Sequence, residues 1–226
     1  EFKNLTVKQG KARPEGTGLD LKPRYKNIET LKYDVILCPT CGYAALEKYF
    51  ARVSMRQIKE LSAKVKESFS LTIEDKDELS FDDAVLRYKL ALLSGQVKGV
   101  KESETGYLCL KFGWLYRSYL QSLEDNDKRI NELTEKRDYY LNKAYELLLF
   151  ARQNEHGNIA GMDETTLDCL LAGLSLYIKK YDETKRLVGG VLTSRVATKR
   201  AKDHAREIKE ALESIETEED TSEETN

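Results

Sequence analysis

The hydrophobic pattern of this 226-residue chain changes character near residue 40. All three prolines, Pro14, Pro23 and Pro39, lie before that point, where apolar residues show no helical period. Within this part, the run Tyr33 to Leu37 is typical of a short strand. Beyond Thr40, apolar residues recur at the three- and four-residue spacing of one helix face. The pattern therefore predicts an extended, turn-rich start followed by a helical body.

Capping residues and turns divide the helical body, with only short loops between the segments. Ser80, with Asp83 three residues later, resembles a capping box, and Asp163 is placed as the N-cap of a later helix. Helices joined by short loops pack as antiparallel hairpins. The predicted helices span residues 43–52, 55–69, 81–97, 107–123, 127–154, 164–180, 182–195 and 198–214.

The segment from Leu170 to Leu192 resembles a degenerate tetratricopeptide unit. Such a unit places small residues, here Ala172 and Gly173, where its two helices touch, and joins the helices by a short turn. We predict a mainly α fold, with tetratricopeptide-like stacked helical hairpins over residues 43–214. An ordinary helical bundle is the alternative.

Charge is distributed unevenly, although the formal net charge is only −2. From Glu213 onward the chain carries acids and no base, which is typical of a solvated, disordered segment. We therefore predict three parts along the chain. A partial zinc-ribbon-like segment spans residues 1–42, the helical domain spans 43–214, and an acidic disordered tail spans 215–226.

Two of the four cysteines, Cys38 and Cys41, form a tight Cys-Pro-Thr-Cys-Gly motif. Two thiolates at this spacing can hold one zinc ion, and Gly42 lets the backbone turn so that its amides face the sulfurs. A structural zinc site needs four ligands, yet residues 1–37 contain no Cys or His. We therefore predict half of a zinc knuckle. The other half lies upstream or on a second chain of a dimer; a pair of thiols without metal is the alternative.

A second interpretation of the pair is redox chemistry, because a glutaredoxin active site also has Cys-Pro-X-Cys between a strand and a helix. That fold needs further strands and a cis-proline, and no proline follows Pro39. A thiol redox protein using Cys38 and Cys41 therefore stays an alternative. The other two cysteines, Cys109 and Cys169, lie in apolar helical patterns and are predicted to be small buried hydrophobic residues.

Three segments carry a family resemblance: Leu31 to Ala45 around the cysteine pair, Tyr88-Lys89-Leu90-Ala91, and Trp114-Leu115-Tyr116-Arg117. Together they resemble the bacterial family of uncharacterised proteins known as domain of unknown function 2225, over nearly the whole chain. Members typically carry an earlier Cys-X-X-Cys pair that is closely followed by a Glu-Phe-like or Lys-Phe-like dipeptide. This chain begins with such a dipeptide, Glu1-Phe2. The resemblance implies a zinc ribbon with two cysteine knuckles, followed by a tetratricopeptide-like domain. One of the two knuckles is present in this sequence. The resemblance implies no activity.

The sequence shows no Ser/His/Asp arrangement, phosphate loop or Gly-rich dinucleotide turn. We therefore expect a non-enzymatic, cytoplasmic protein-interaction or scaffold module that binds a protein or peptide. No apolar stretch approaches the length of a membrane span. Nucleic-acid binding through the ribbon and a basic helix at 195–209 is an alternative. Because Tyr, Trp and Arg are favoured at binding hot spots, the candidate partner-binding residues are Tyr88, Trp114, Arg117 and Tyr177.

Overall fold

The protein is described here from a computed structural model that covers residues 2–8, 10–74 and 76–223. The mainly α fold is confirmed. The helices are α1 (Glu47–Phe50), α2 (Met55–Leu61), α3 (Phe81–Lys98), α4 (Glu102–Gln121), α5 (Ile130–Asn154), α6 (Glu164–Tyr177), α7 (Tyr181–Thr193) and α8 (Lys199–Glu223). The strands are β1 (Pro14–Thr17), β2 (Pro23–Tyr25), β3 (Val35–Leu37) and β4 (Ala44–Leu46).

The chain divides into two compact units. The first unit consists of Glu1–Pro14 and Tyr25–Ala144, and the second of Glu15–Arg24 and Tyr145–Asn226. This division differs from the predicted boundary at residue 42. Residues 1–42 do not form a separate unit, because Glu15–Arg24 belong to the second unit while β3 packs on α3 inside the first.

The β3–β4 hairpin corrects one prediction of local structure. Residues 43–52 were predicted to be one helix, but Ala44–Leu46 pair antiparallel with Val35–Leu37 and only Glu47–Phe50 are helical. All three residues of β4 are buried. A strand that is covered on both faces shows no alternation of apolar and polar residues, so periodicity alone does not distinguish it from a buried helix.

Capping explains where several helices begin. Ser54 and Ser80 each form a complete capping box, with Gln57 and Asp83 respectively. Asp163 accepts a hydrogen bond from the Thr166 amide at 2.7 Å and so caps α6 as predicted. The helix predicted over residues 55–69 is shorter in the structure. Its α-helical part, α2, ends at Leu61, and a π-helical segment, Ser62–Lys66, follows it.

The core of the first unit is rich in stacked aromatic rings from α3, α4 and α5. Phe112 is fully buried, and its ring centroid lies 5.0 Å from that of Tyr88 and 4.3 Å from that of Tyr140. Gly113 allows the close approach of α4 and α5, since a Cβ there would lie 2.4 Å from a Leu141 methyl carbon. Large aromatic side chains stabilise a core through the extent of their buried area.

The second unit packs the α6–α7 hairpin against α8 and the loop between β1 and β2. A Cβ on Gly173 would lie 1.9 Å from the Leu19 carbonyl oxygen, so this loop crosses α6 directly on its backbone. His204 of α8 contacts the same oxygen, with its Nε2 at 2.9 Å. Between α6 and α7, the buried hydroxyls of Ser175 and Thr184 are hydrogen-bonded at 2.9 Å. The helical hairpin is therefore observed, whereas tetratricopeptide-like stacking remains a prediction.

The C-terminal region differs from the predicted disordered tail. Helix α8 continues to Glu223, so residues 215–223 are helical, and the last three residues of the predicted tail lie outside the described residues. Lys185 pairs with Glu216 at 2.6 Å, so an acid of this region faces a base on α7. Among the residues that the structure describes, none of the helices combines the length and apolar character needed to cross a membrane.

Candidate metal centre

The cysteine motif forms the turn of the β3–β4 hairpin. The Cys38 amide donates to the Tyr43 carbonyl at 2.9 Å, and the Gly42 amide donates to the Cys38 carbonyl at 3.0 Å. Gly42 has φ of +71°, a left-handed conformation that non-glycine residues rarely adopt. The turn is therefore a compact knuckle held by its own backbone.

Backbone amides surround the two sulfurs of the knuckle. The Thr40 and Cys41 amides hydrogen-bond to the Cys38 sulfur, and the Tyr43 amide hydrogen-bonds to the Cys41 sulfur. Burial raises the pKa of Cys38, but these amide bonds and a bond from Cys41 outweigh it and lower the pKa overall. The pKa of Cys41 is raised, first by burial and then by its neighbour Cys38. The amides favour a thiolate, which is the form that binds metal.

The knuckle packs against a small apolar core. It contains Tyr43, Ala45, Leu61 and Val65, and both cysteines pack against it. Phe69 covers Gly42 so closely that a Cβ on this glycine would lie 2.4 Å from the ring. The position of the two thiols is therefore determined by packing as well as by the turn.

The knuckle supplies two candidate ligands. Within residues 2–8, 10–74 and 76–223, no group of three or more His, Cys, Asp or Glu side chains could hold a metal ion. The donor set nevertheless fits zinc, since two thiols three residues apart on one tight turn can bind one ion. Cys109 and Cys169 are both buried, and burial raises their pKa values to about 12 and about 11. They are core residues, as predicted.

The knuckle lacks one structural feature of a glutaredoxin active site. Cys41 is followed by a strand, and α1 begins only at Glu47. Cys38 therefore does not lie at a helix N-terminus, which is the feature that activates the first thiol in that class of redox site.

Two of the four predicted partner-binding residues are core residues. Tyr88 is completely buried and donates a hydrogen bond to the Leu31 carbonyl, and Trp114 is 4% exposed. The prediction that these two side chains contact a partner is corrected, because aromatic rings at regular helical spacing were needed to fill the core. Arg117 on α4 and Tyr177 at the end of α6 are half-buried. Their proposed role in binding remains a prediction.

A second polar cluster in the first unit has no counterpart in the sequence analysis. Asp34, Lys48, Tyr107 and Lys111 line a cavity of about 170 Å³. The four residues come from three separate segments of the sequence and match no motif, so only the tertiary structure brings these segments together.

A family model matches nearly the whole chain. The chain belongs to the family described as "Uncharacterized protein conserved in bacteria", DUF2225, whose model matches residues 1–212. The resemblance seen in the sequence is thereby confirmed. No curated protein and no solved structure matched the chain.

Proposed function

We propose that this protein is a non-enzymatic protein-interaction module, with the Cys38/Cys41 knuckle as half of a structural zinc site. The observation that carries the proposal is the geometry of the knuckle, in which one tight hairpin turn holds both Cys38 and Cys41 against a single small apolar core. The remaining two zinc ligands come from a second copy of the chain or from another segment, since residues 2–8, 10–74 and 76–223 of one chain hold no group of three or more candidate ligands. Zinc bound there would cross-link the knuckle to the segment that supplies them.

Helix α2 supports an interaction role. Met55 and Ile58 lie one helical turn apart and are 74% and 49% exposed. Leu61, on the same helix, is buried in the small core beneath the knuckle. Adjacent exposed apolar side chains are common at protein–protein contacts. We place the partner-binding surface on this side of the first unit.

The zinc half of the proposal is tested by metal analysis of the purified protein. Elemental analysis after gel filtration is expected to find zinc in the wild-type protein and none in the Cys38→Ala/Cys41→Ala variant. The matched control is Cys109→Ala/Cys169→Ala, which removes the two buried thiols and keeps the knuckle. Half a zinc per chain in a dimer identifies a second copy as the source of the missing ligands. Equal zinc content in all three proteins contradicts the proposal.

The interaction half is tested by affinity capture from a bacterial lysate. Wild-type protein is expected to retain a partner in stoichiometric amount, and the Met55→Ser/Ile58→Ser variant to lose it. Val196→Ser is the control, because Val196 is 82% exposed and isolated from α2 in the sequence. The proposal fails if no stoichiometric partner is recovered, or if both variants retain it equally.

Nucleic-acid binding through α8 has less support. Arg206 pairs with Asp203, and Lys209 pairs with Glu213 at 3.2 Å. His204, which the basic run includes, contacts the Leu19 carbonyl. Because neighbouring acids offset these bases, α8 does not present the uniform positive charge that phosphate binding favours. A salt-sensitive gel shift would restore this alternative.

A further inference from the structure

The cavity beside β4 brings together charged groups from three parts of the first unit. The Glu47 amide donates to the Asp34 carbonyl at 3.1 Å, which holds the start of α1 beside the residue that precedes β3. Tyr107 and Lys111 lie four residues apart on α4, so their side chains share one helix face. Glu47 and Lys48 of α1 and Leu46 of β4 complete the lining.

The two lysines of the cavity lie over the same aromatic ring. The Lys48 ammonium is 3.8 Å from the centroid of the Tyr107 ring, and the Lys111 ammonium is 5.3 Å from it. Lys111 is paired with the Asp34 carboxylate at 2.5 Å. Lys48 is exposed as a whole residue, whereas its ammonium group packs against the Tyr107 ring. The lysines are therefore close neighbours in different environments.

These environments move the two pKa values apart. The pKa of Lys48 is lowered to about 8, first by burial of its ammonium group and then by the positive charges of Lys111 and Arg52; Glu104 and Asp34 act against this. Burial lowers the pKa of Lys111, but Asp34 and Tyr107 outweigh it and raise the pKa overall. A lysine beside a persistent cation is a known route to a neutral, nucleophilic amine.

We propose that Lys48 is a nucleophilic amine that forms an imine with small carbonyl compounds entering the cavity beside Lys111. The cavity volume, about 170 Å³, suits an aldehyde or ketone of a few carbon atoms. The proposal is independent of the zinc knuckle and of the interaction surface on α2.

The reaction balances without an oxidant or reductant. The Nζ lone pair of neutral Lys48 attacks the carbonyl carbon, and the electron pair of the C=O π bond moves to oxygen. That oxygen takes a proton from the Lys111 ammonium or from water, and Nζ releases a proton. The carbinolamine then loses water to give the imine, so amine and carbonyl compound yield imine and water.

Reductive trapping tests the proposal. The protein is incubated with pyruvate or with propanal in the presence of cyanoborohydride, and adducts are mapped by peptide mass spectrometry. We expect Lys48 to be modified about tenfold or more faster than Lys59 at neutral pH, because a lower pKa leaves more neutral amine. Lys59 is an exposed lysine on α2 and serves as the internal reference. A Lys48-to-Lys59 rate ratio that is higher for pyruvate than for propanal identifies a carboxylate on the ligand; equal ratios identify the carbonyl alone.

Two substitutions complete the first test. Lys48→Arg is expected to abolish the fast adduct, whereas Lys59→Arg leaves it unchanged. Equal modification of Lys48 and Lys59 in the wild-type protein overturns the proposal, and so does an unchanged fast adduct in Lys48→Arg.

The pH dependence of the trapping rate shows whether neighbouring charges control the reactivity of the Lys48 amine or whether the amine is simply accessible. The charges that act on Lys48 are those of Asp34, Arg52, Glu104 and Lys111. Glu47 also lines the cavity, and the Tyr107 and Tyr49 rings lie 3.8 and 4.8 Å from the Lys48 ammonium. Lys111→Gln removes a repelling cation and is expected to move the midpoint of the trapping rate to higher pH. Asp34→Asn removes an attracting anion and is expected to move it to lower pH. Loss of structure would change the amount of adduct but not shift the midpoints in opposite directions.

Arg52→Gln provides a variant that does not disturb the Asp34–Lys111 pair. Arg52 is exposed, so the fold is expected to tolerate its replacement, and the midpoint again moves to higher pH. Circular dichroism confirms the fold of each variant. Midpoints that stay at the wild-type pH in the folded variants contradict the proposal.

Discussion

The two units of the molecule use their polar residues differently. In the first unit, side chains with reactive groups lie at the edges of a small hairpin: two thiols on its turn and a lysine pair beside its second strand. In the second unit, the buried polar groups pair with one another or with backbone, as Ser175 does with Thr184 and His204 with the Leu19 carbonyl. The first unit therefore carries the candidate sites, and the second is a packed helical hairpin.

This difference shows why a β-hairpin within a helical fold can bring several reactive side chains close together. A strand pair holds its turn and its flanking residues rigidly, and neighbouring helices contribute further side chains at a fixed distance. Helix-on-helix packing instead requires close-fitting apolar surfaces. Substitutions in both units test this contrast.

The largest effect is expected from Gly173→Ala in the second unit. The new Cβ would lie 1.9 Å from the Leu19 carbonyl oxygen and 2.8 Å from the Asp20 Cα, both backbone atoms that a rotamer change cannot move. We expect the free energy of unfolding to fall by about 3 kcal/mol. Urea denaturation measures this.

Gly190→Ala is the control for that experiment. A Cβ on Gly190, within α7, meets no atom within 4 Å, so alanine is expected to stabilise the helix by about 0.5–1 kcal/mol. If Gly173→Ala unfolds at the same urea concentration as the wild-type protein, backbone contact is not what holds α6 against the β1–β2 loop.

An intermediate effect is expected from Gly42→Ala in the knuckle of the first unit. Alanine there must adopt φ of +71° and its Cβ would meet the Phe69 ring at 2.4 Å. We expect a loss of about 2 kcal/mol, part from the left-handed conformation and part from displacement of Phe69. Thermal unfolding followed by circular dichroism measures it.

Gly157→Ala separates the two contributions. Gly157 has φ of +82°, but a Cβ there meets nothing within 4 Å, so only the conformational cost of about 1 kcal/mol remains. Equal losses for the two variants would show that Phe69 does not restrain the knuckle, and that its thiols are positioned by the turn alone.

The smallest effect is expected at the N-cap of α6. Asp163→Ala removes the acceptor for the Thr166 amide and is expected to cost about 1 kcal/mol at neutral pH. Asp163→Asn keeps an acceptor and is expected to cost less. Chemical denaturation of the three proteins across pH 3 to 7 provides the measurement.

The pH dependence of that cap has a defined sign. Hydrogen bonds to Thr166 lower the pKa of Asp163 below its ordinary value. The stabilisation is therefore present above the unfolded pKa of about 4 and is lost as pH falls through the folded pKa. The stability of Asp163→Asn does not depend on protonation at this position. The difference in the free energy of unfolding between the wild-type protein and Asp163→Asn is therefore expected to shrink at acid pH. A constant difference contradicts the assignment.

Local signals in the sequence predicted much of the fold correctly. The capping box at Ser80, the N-cap at Asp163 and the strand before Cys38 all follow from hydrogen bonds or periodicity within a few residues. Predictions that depended on distant contacts were less reliable. The segment Ala44–Leu46 has no alternation, and its strand conformation arises from pairing with β3.

The sequence by itself determined the mainly α fold, the cysteine knuckle and membership of the bacterial family, because each depends on residues adjacent in the chain or on their order. Only the tertiary structure decided that Tyr88 and Trp114 are buried and that Gly173 lies under the Leu19 carbonyl. It alone placed Lys48 beside Lys111. Desolvation and charge act through space, so residues that are distant in the chain acquire their chemistry only when the fold brings them together.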